Sequence, residues 1–183
     1  MGRWRALGLQ APNVAVNVST IQLRRPGFVE MVAGIVGSDA ADAGIDIEIT
    51  ESAIMENIDH IVDHLHALRT LGVHIAIDDF GTGYSSLAYL SKLPVQILKI
   101  DRAFVMTMNS NPANLTLVAT MVSLAHALQL KTVAEGVETD EEAQALARLQ
   151  CDQIQGYVVS RTLAFDACHE AYAHEQWRSR RDD

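Results

Sequence analysis

Six short apolar stretches recur along the chain, each followed by a segment with helical spacing: Val14 to Ser19, Ile45 to Thr50, the run from Ile75, Gln96 to Asp101, Thr132 to Glu135 and Gln153 to Val159. Strands that alternate strictly with helices imply a parallel sheet, either open and doubly wound or closed into a barrel. The expected helices run from Phe28 to Val36, closed by Gly37, and through Ile58, Ile61, Val62, Leu65 and Leu68 to a glycine stop at Gly72. Further helices are expected from Ser85 to Leu93, ended by Pro94, and from Leu115 to Leu128. Thr139 and Glu142 form a capping box for a helix through Leu149, and a last helix covers Phe165 to His174. Residues 1–10 look like the end of an amphipathic helix, and 176–183 like a charged, frayed tail.

Parity within the strands narrows the choice. Side chains alternate between the two faces of a strand, so Val14, Val16 and Val18 oppose Ala15, Asn17 and Ser19. The pattern repeats with Ile45, Ile47 and Ile49 against Asp46, Glu48 and Thr50, and with Leu98 and Ile100 against Lys99 and Asp101. One face packs on helices, while the other carries Asn17, Glu48, Asp78 and Lys99 near the strand ends, with Glu135 and Gln155 at comparable positions further on. In a (β/α) barrel these groups converge at the C-terminal mouth, where such folds keep their chemistry.

The stretch Ile75-Ala76-Ile77-Asp78-Asp79-Phe80-Gly81-Thr82-Gly83 is the sharpest of these signals. Two adjacent carboxylates ending a buried strand suffer desolvation and mutual repulsion, so they need protonation, a basic partner or a metal ion. Asp beside Gly also fits an exposed turn, but Glu48 and Lys99 on matching strand ends make a site the better account. The glycines allow a sharp backbone turn at a site's rim. No Gly-Lys-Ser/Thr follows, which argues against a nucleotide P-loop. His60 and His64 lie one helical turn apart without the acid of a zinc-protease motif, and read as a solvated surface.

Composition sets the outer bounds. With 183 residues, 49% of them hydrophobic, the chain can bury a substantial core as a single domain spanning 1–183. Its net charge of −9 argues against a surface built to hold DNA or RNA by their phosphates. A phosphodiester can still be held through divalent cations, which invert the local sign of charge. Cys151 and Cys168 form neither a disulfide framework nor a metal motif, so a cytoplasmic location is expected. No stretch has the length and character of a signal peptide or a membrane span.

The motifs Asn17-Val18-Ser19, Glu48-Ile49-Thr50-Glu51, Asp78-Asp79-Phe80-Gly81-Thr82-Gly83, Lys99-Ile100-Asp101, Glu135-Gly136-Val137-Glu138 and Gln155-Gly156-Tyr157, in this order after successive strands, resemble the EAL-type phosphodiesterases, which hydrolyse cyclic diguanylate (cyclic di-GMP). The resemblance implies an α/β fold, a TIM-like (β/α) barrel that is incomplete, with about six βα units present where a closed barrel has eight. It implies Asn17, Glu48, Asp78 and Asp79 as ligands of Mg²⁺ or Mn²⁺. Lys99 would polarise the attacking water and offset phosphate charge, Glu135 would be the base-like carboxylate, Gln155 would orient water or Glu135, and Glu51 would brace the loop after Phe80. The reaction implied is opening of one phosphodiester to give linear pGpG, with a homodimer as the expected assembly. The family's Glu-Ala-Leu stretch is not found, the sequence beginning where the opening strands would already have passed, and Ser160-Arg161-Thr162 stands where Ser-Arg-Pro is usual. A binding module for cyclic di-GMP or for a protein, without hydrolysis, is the alternative expectation.

Overall fold

Parallel pairing runs through the whole chain in sequence order. The structure is a computed structural model describing residues 13–36, 44–83 and 90–173. Its strands β1 (Val14–Asn17), β2 (Ile45–Thr50), β3 (His74–Phe80), β4 (Ile97–Ile100), β5 (Lys131–Glu135) and β6 (Gln153–Gln155) form one six-stranded sheet in the order β1-β2-β3-β4-β5-β6. Every neighbouring pair is parallel, and the six strands form a half-barrel with helices packed against it. The helices are α1 (Thr20–Leu23), α2 (Phe28–Val36), α3 (Glu51–Thr70), α4 (Arg102–Val105), α5 (Pro112–Ala127), α6 (Asp140–Arg148) and α7 (Phe165–Ala173).

The core lies between sheet and helices, as parity requires. Ile47, Ile49, Ile75, Ile77, Leu98 and Ile100 from the central strands are buried with Ile54, Ile61, Leu65 and Leu68 of α3 and Val118, Val122 and Ala125 of α5. Both faces of these strands are buried, the helix side through the aliphatic residues and the other side through Glu48, Ala76, Asp78 and Lys99. β1 is different, with Val14 50% and Val16 43% exposed.

Several boundaries depart from expectation. Strand β1 stops at Asn17, because Ser19 turns aside to cap α1, accepting from the Gln22 amide in a full capping box. Strand β6 is only three residues long, and Gly156 to Val159 form a turn instead of extending it, with the Val159 and Ser160 amides both donating to the Gly156 carbonyl. Helix α4 was not expected; Asp101 caps it by accepting from the Ala103 amide at 2.7 Å. The Thr139–Glu142 box opens α6 as expected. The expected helix over residues 1–10, most of the one from Ser85, the tail at 176–183 and the side chain of His60 lie outside the described residues.

One C-terminal cap is used three times to return the chain to the sheet. After α3, α5 and α6 a residue adopts positive φ: Gly72 at 77°, Gln129 at 60° and Gln150 at 63°. In each case the following amide reaches back to a helix carbonyl, Val73 to Leu68, Leu130 to Ala125 and Cys151 to Leu146. This is the Schellman arrangement, whose left-handed position suits glycine, and only the first is one. Gln129→Gly and Gln150→Gly should therefore each stabilise the chain by about 1 kcal/mol, additively, as measured by urea unfolding.

A polar pin joins the same end of the sheet. Asp152 Oδ2 accepts from the Thr132 amide at 2.8 Å and its hydroxyl at 2.7 Å, and meets His126 Nε2 at 2.9 Å. Burial pushes the Asp152 carboxyl up, but the Thr132 and His126 contacts outweigh it and hold the pKa below the ordinary 3.8. A depressed carboxyl contributes stability above its unfolded pKa and loses it as pH falls through the folded one. Asp152→Asn should cost about 1 kcal/mol at pH 7, discounted for its exposure, and the gap to wild type should close in urea titrations run progressively below pH 3.8.

Candidate active site

Four neighbouring strands deliver the charged side chains to one place. Lys99 lies at the centre of β4, 4% exposed, with its Nζ 2.6 Å from Glu135 Oε1 of β5, 2.8 Å from Glu48 Oε1 of β2 and 2.9 Å from Asp78 Oδ1 of β3. Glu48 reaches Lys99 across an intervening strand because its register partner on β3 is Ala76, whose methyl leaves the space above it open. An ammonium of this burial is tolerable only with close countercharge. Burial alone would lower the Lys99 pKa, but the Glu135, Glu48 and Asp78 carboxylates in contact with it more than compensate and hold it above the ordinary 10.5. Lys99 is therefore a fixed cation and not a base.

The second aspartate enters by a break in the ladder. Ile77 pairs with Leu98 and Phe80 with Ile100, so two residues of β3, Asp78 and Asp79, stand opposite the single Lys99 of β4. Regular alternation would send Asp79 to the helix side. The bulge, with Asp79 at φ 54°, turns it back, and Phe80 joins the buried core instead. Oxygens of Asp78, Asp79 and Glu135 consequently all lie within 4.8 Å of one another. Strain of this kind is held only where the surroundings determine it. Here the Asp79 carbonyl accepts from the Thr82 hydroxyl at 2.8 Å and the Thr82 amide at 3.3 Å.

Four carboxylates then share one ammonium. The Glu135 carboxyl is raised above its ordinary value, first by burial and then by the Asp78 and Glu48 charges, against the pull of Lys99. Asp79 is raised by burial, by the charge of Asp78 and by Asp101, which stands within hydrogen-bonding reach. Asp78 Oδ1 is buried, and its contact with Lys99 pairs the charges without the alignment of a hydrogen bond. Excess negative charge and three convergent oxygens together fit a hard divalent cation.

The remaining expected residues flank this centre. Glu51, at the start of α3 and 1% exposed, accepts from the Gly81 amide at 2.8 Å. A Cβ on Gly83 would stand 2.8 Å from its other oxygen, so the loop after Phe80 rests directly on this carboxylate. Asn17 is exposed on β1, in register with Glu48, and Gln155 is exposed on β6, in register with Glu135. These amides lie on the strands that flank the charged cluster. Asp101 was not assigned a role from sequence; its place two residues after Lys99, on the same strand face, was the available signal.

A family profile described as the EAL domain matches residues 1–162. Cyclic di-GMP phosphodiesterase NbdA of Pseudomonas aeruginosa is 41% identical over 164 residues, 89% of this chain and 21% of that protein. The bifunctional diguanylate cyclase/cyclic di-GMP phosphodiesterase MucR of the same organism is 40% identical over 152 residues, 82% of this chain and 22% of that protein. The chain thus spans about a fifth of the length of these curated relatives. Among solved structures, the PaMucR phosphodiesterase in complex with c-di-GMP superposes with a TM-score of 0.84 at 37% identity, covering 91% of this chain and 68% of that one. The EAL domain of Mycobacterium smegmatis DcpA gives 0.82 at 41%, covering 94% and 78%. Klebsiella pneumoniae BlrP1 with manganese and cy-diGMP gives 0.72 at 31%, covering 81% and 38%. With a profile match over most of its length and relatives about 40% identical across more than four fifths of it, this chain belongs to the EAL domain family.

Proposed function

We propose that the chain is the catalytic domain of a metal-dependent phosphodiesterase that opens cyclic di-GMP to linear pGpG. The observation that carries this reading is the cluster in which Asp78, Asp79 and Glu135 converge beside a buried Lys99. The relatives named for cyclic di-GMP hydrolysis support the substrate, and the manganese complex of a structural neighbour supports the ion class.

Each residue has a distinct part. Asp78 and Asp79, with Glu48 and Asn17 around them, would hold Mg²⁺ or Mn²⁺ through oxygen. When bound, such an ion supplies Lewis-acid stabilisation of phosphoryl charge and a more acidic water. Lys99 stays protonated and sets a fixed positive charge beside the phosphate oxygens as negative charge grows there. Glu135, whose carboxylate stands beside Asp78, Asp79 and Lys99, is the group suited to take a proton from the attacking water. Gln155, opposite Glu135, would orient that water, and Glu51 would keep the Gly81–Gly83 loop in place at the rim.

The wider setting follows the same reading. No helix among the described residues is long and apolar enough to cross a membrane, and both cysteines are free. A cytoplasmic location and a homodimer are part of the proposal, the latter resting on family resemblance and readable by sedimentation velocity.

Turnover of cyclic di-GMP to pGpG with Mg²⁺ or Mn²⁺, followed by chromatography, is the direct test; binding without turnover would favour a receptor instead. Asp78→Asn should lower kcat/KM by at least about a hundredfold and weaken Mn²⁺ binding measured by calorimetry. Lys99→Met should lower stability in chelator by about 3–5 kcal/mol, because it leaves buried carboxylates without their countercharge. Added Mn²⁺ should restore part of that loss, read by thermal melting.

A further inference from the structure

The two residues after Glu135 are wedged between neighbouring strand ends. At Gly136, with φ 66°, an added Cβ would sit 2.5 Å from Arg102 Cβ at the start of α4. On the other side, a Cβ on Gly156 would overlap the carbonyl oxygen and amide nitrogen of Val137 and lie 2.7 Å from its carbonyl carbon. Two hydrogen bonds hold that approach, the Val137 amide to the Gln155 carbonyl at 3.1 Å and the Val158 amide to the Val137 carbonyl at 3.0 Å. The overlapped atoms are backbone, so no side-chain rotation can relieve a methyl placed there.

Glu135 is a long side chain with three rotatable bonds, and its 2.6 Å contact with Lys99 depends on where its backbone sits. A turn gripped from both sides fixes that backbone. We infer that Gly156 is a positioning residue for Glu135: by letting the end of β6 lie directly on the Val137 peptide, it holds the Glu135 carboxylate against Lys99 and beside Asp78 and Asp79. The consequence for metal binding rests on the function proposed above; the consequence for Glu135 geometry does not.

The test is Gly156→Ala in the full chain, with Gly34→Ala as control, since a Cβ at Gly34 of α2 meets nothing within 4 Å. In the crystal structure of Gly156→Ala the Glu135–Lys99 contact should open beyond salt-bridge range, about 4 Å. Mn²⁺ affinity, by calorimetry at a temperature where circular dichroism shows the variant folded, should fall about tenfold, as expected for loss of a supporting contact. Gly34→Ala should match wild type in both. Replacing Val137 by Ala in the Gly156→Ala background should restore neither, because the overlap is with backbone. A folded Gly156→Ala that keeps the 2.6 Å contact and wild-type Mn²⁺ affinity overturns the inference. Should Gly156→Ala not fold, Gly136→Ala presses the same turn from its other side and takes its place; failure of both to fold, with the control folded, assigns the glycines a purely structural role and also overturns it. If wild type itself binds no Mn²⁺, the metal reading fails while the Glu135–Lys99 distance still decides the role of Gly156.

Discussion

A single ammonium, sunk into the middle of the sheet and touched by three carboxylates from three other strands, is the constraint on which this site depends. Lys99 is nearly inaccessible, and an isolated charge there would be prohibitive. Glu48, Asp78 and Glu135 make it tolerable, and in turn their own repulsion is tolerable only because of Lys99. The cluster thus holds itself together through its own charges, yet with more carboxylates than ammonium it retains an appetite for further positive charge. The fold and the chemistry draw on the same residues for different reasons.

Much of this was legible because a parallel sheet translates sequence parity directly into faces. Glu48, Asp78 and Lys99 alternate with Ile47, Ile77 and Leu98, so once the isoleucines are assigned to the helix side the polar groups have only one other place to go. The capping box at Thr139 and the glycine stop at Gly72 were equally local, each being a short-range hydrogen-bond pattern written in adjacent residues. The extent of β6 was not legible. Val158 and Val159 look like strand residues, but Gly156 packs on Val137, nineteen positions away in sequence, and that contact turns the chain.

The Asp79 bulge and the reach of Glu48 escaped for a related reason. Simple alternation sends Asp79 away from Asp78, and nothing in its neighbourhood specifies that two residues of β3 will face one of β4. The family pattern named Asp79 as a ligand without saying how it could point the right way; the left-handed turn at φ 54° supplies the physical route. Glu48 meets Lys99 only because Ala76 between them is small, a condition belonging to three strands at once. Gln129 and Gln150 mislead in the opposite sense, since both occupy positions whose backbone favours glycine.

Charge and position are also sorted across the sheet. The ionised groups sit on β2 to β5, where each has a neighbour on both sides, whereas the outer strands carry neutral amides, Asn17 on β1 and Gln155 on β6. An unpaired carboxylate buried at an edge would need its own partner, while an amide can satisfy itself with water or ligand without perturbing the charge balance of the centre. The turn after Glu135 is a sensitive point, because among the described strands the Glu135 carboxylate has only the uncharged Gln155 beyond it. Its alignment has to come from packing, and the contact between Gly156 and the Val137 peptide is where packing supplies it.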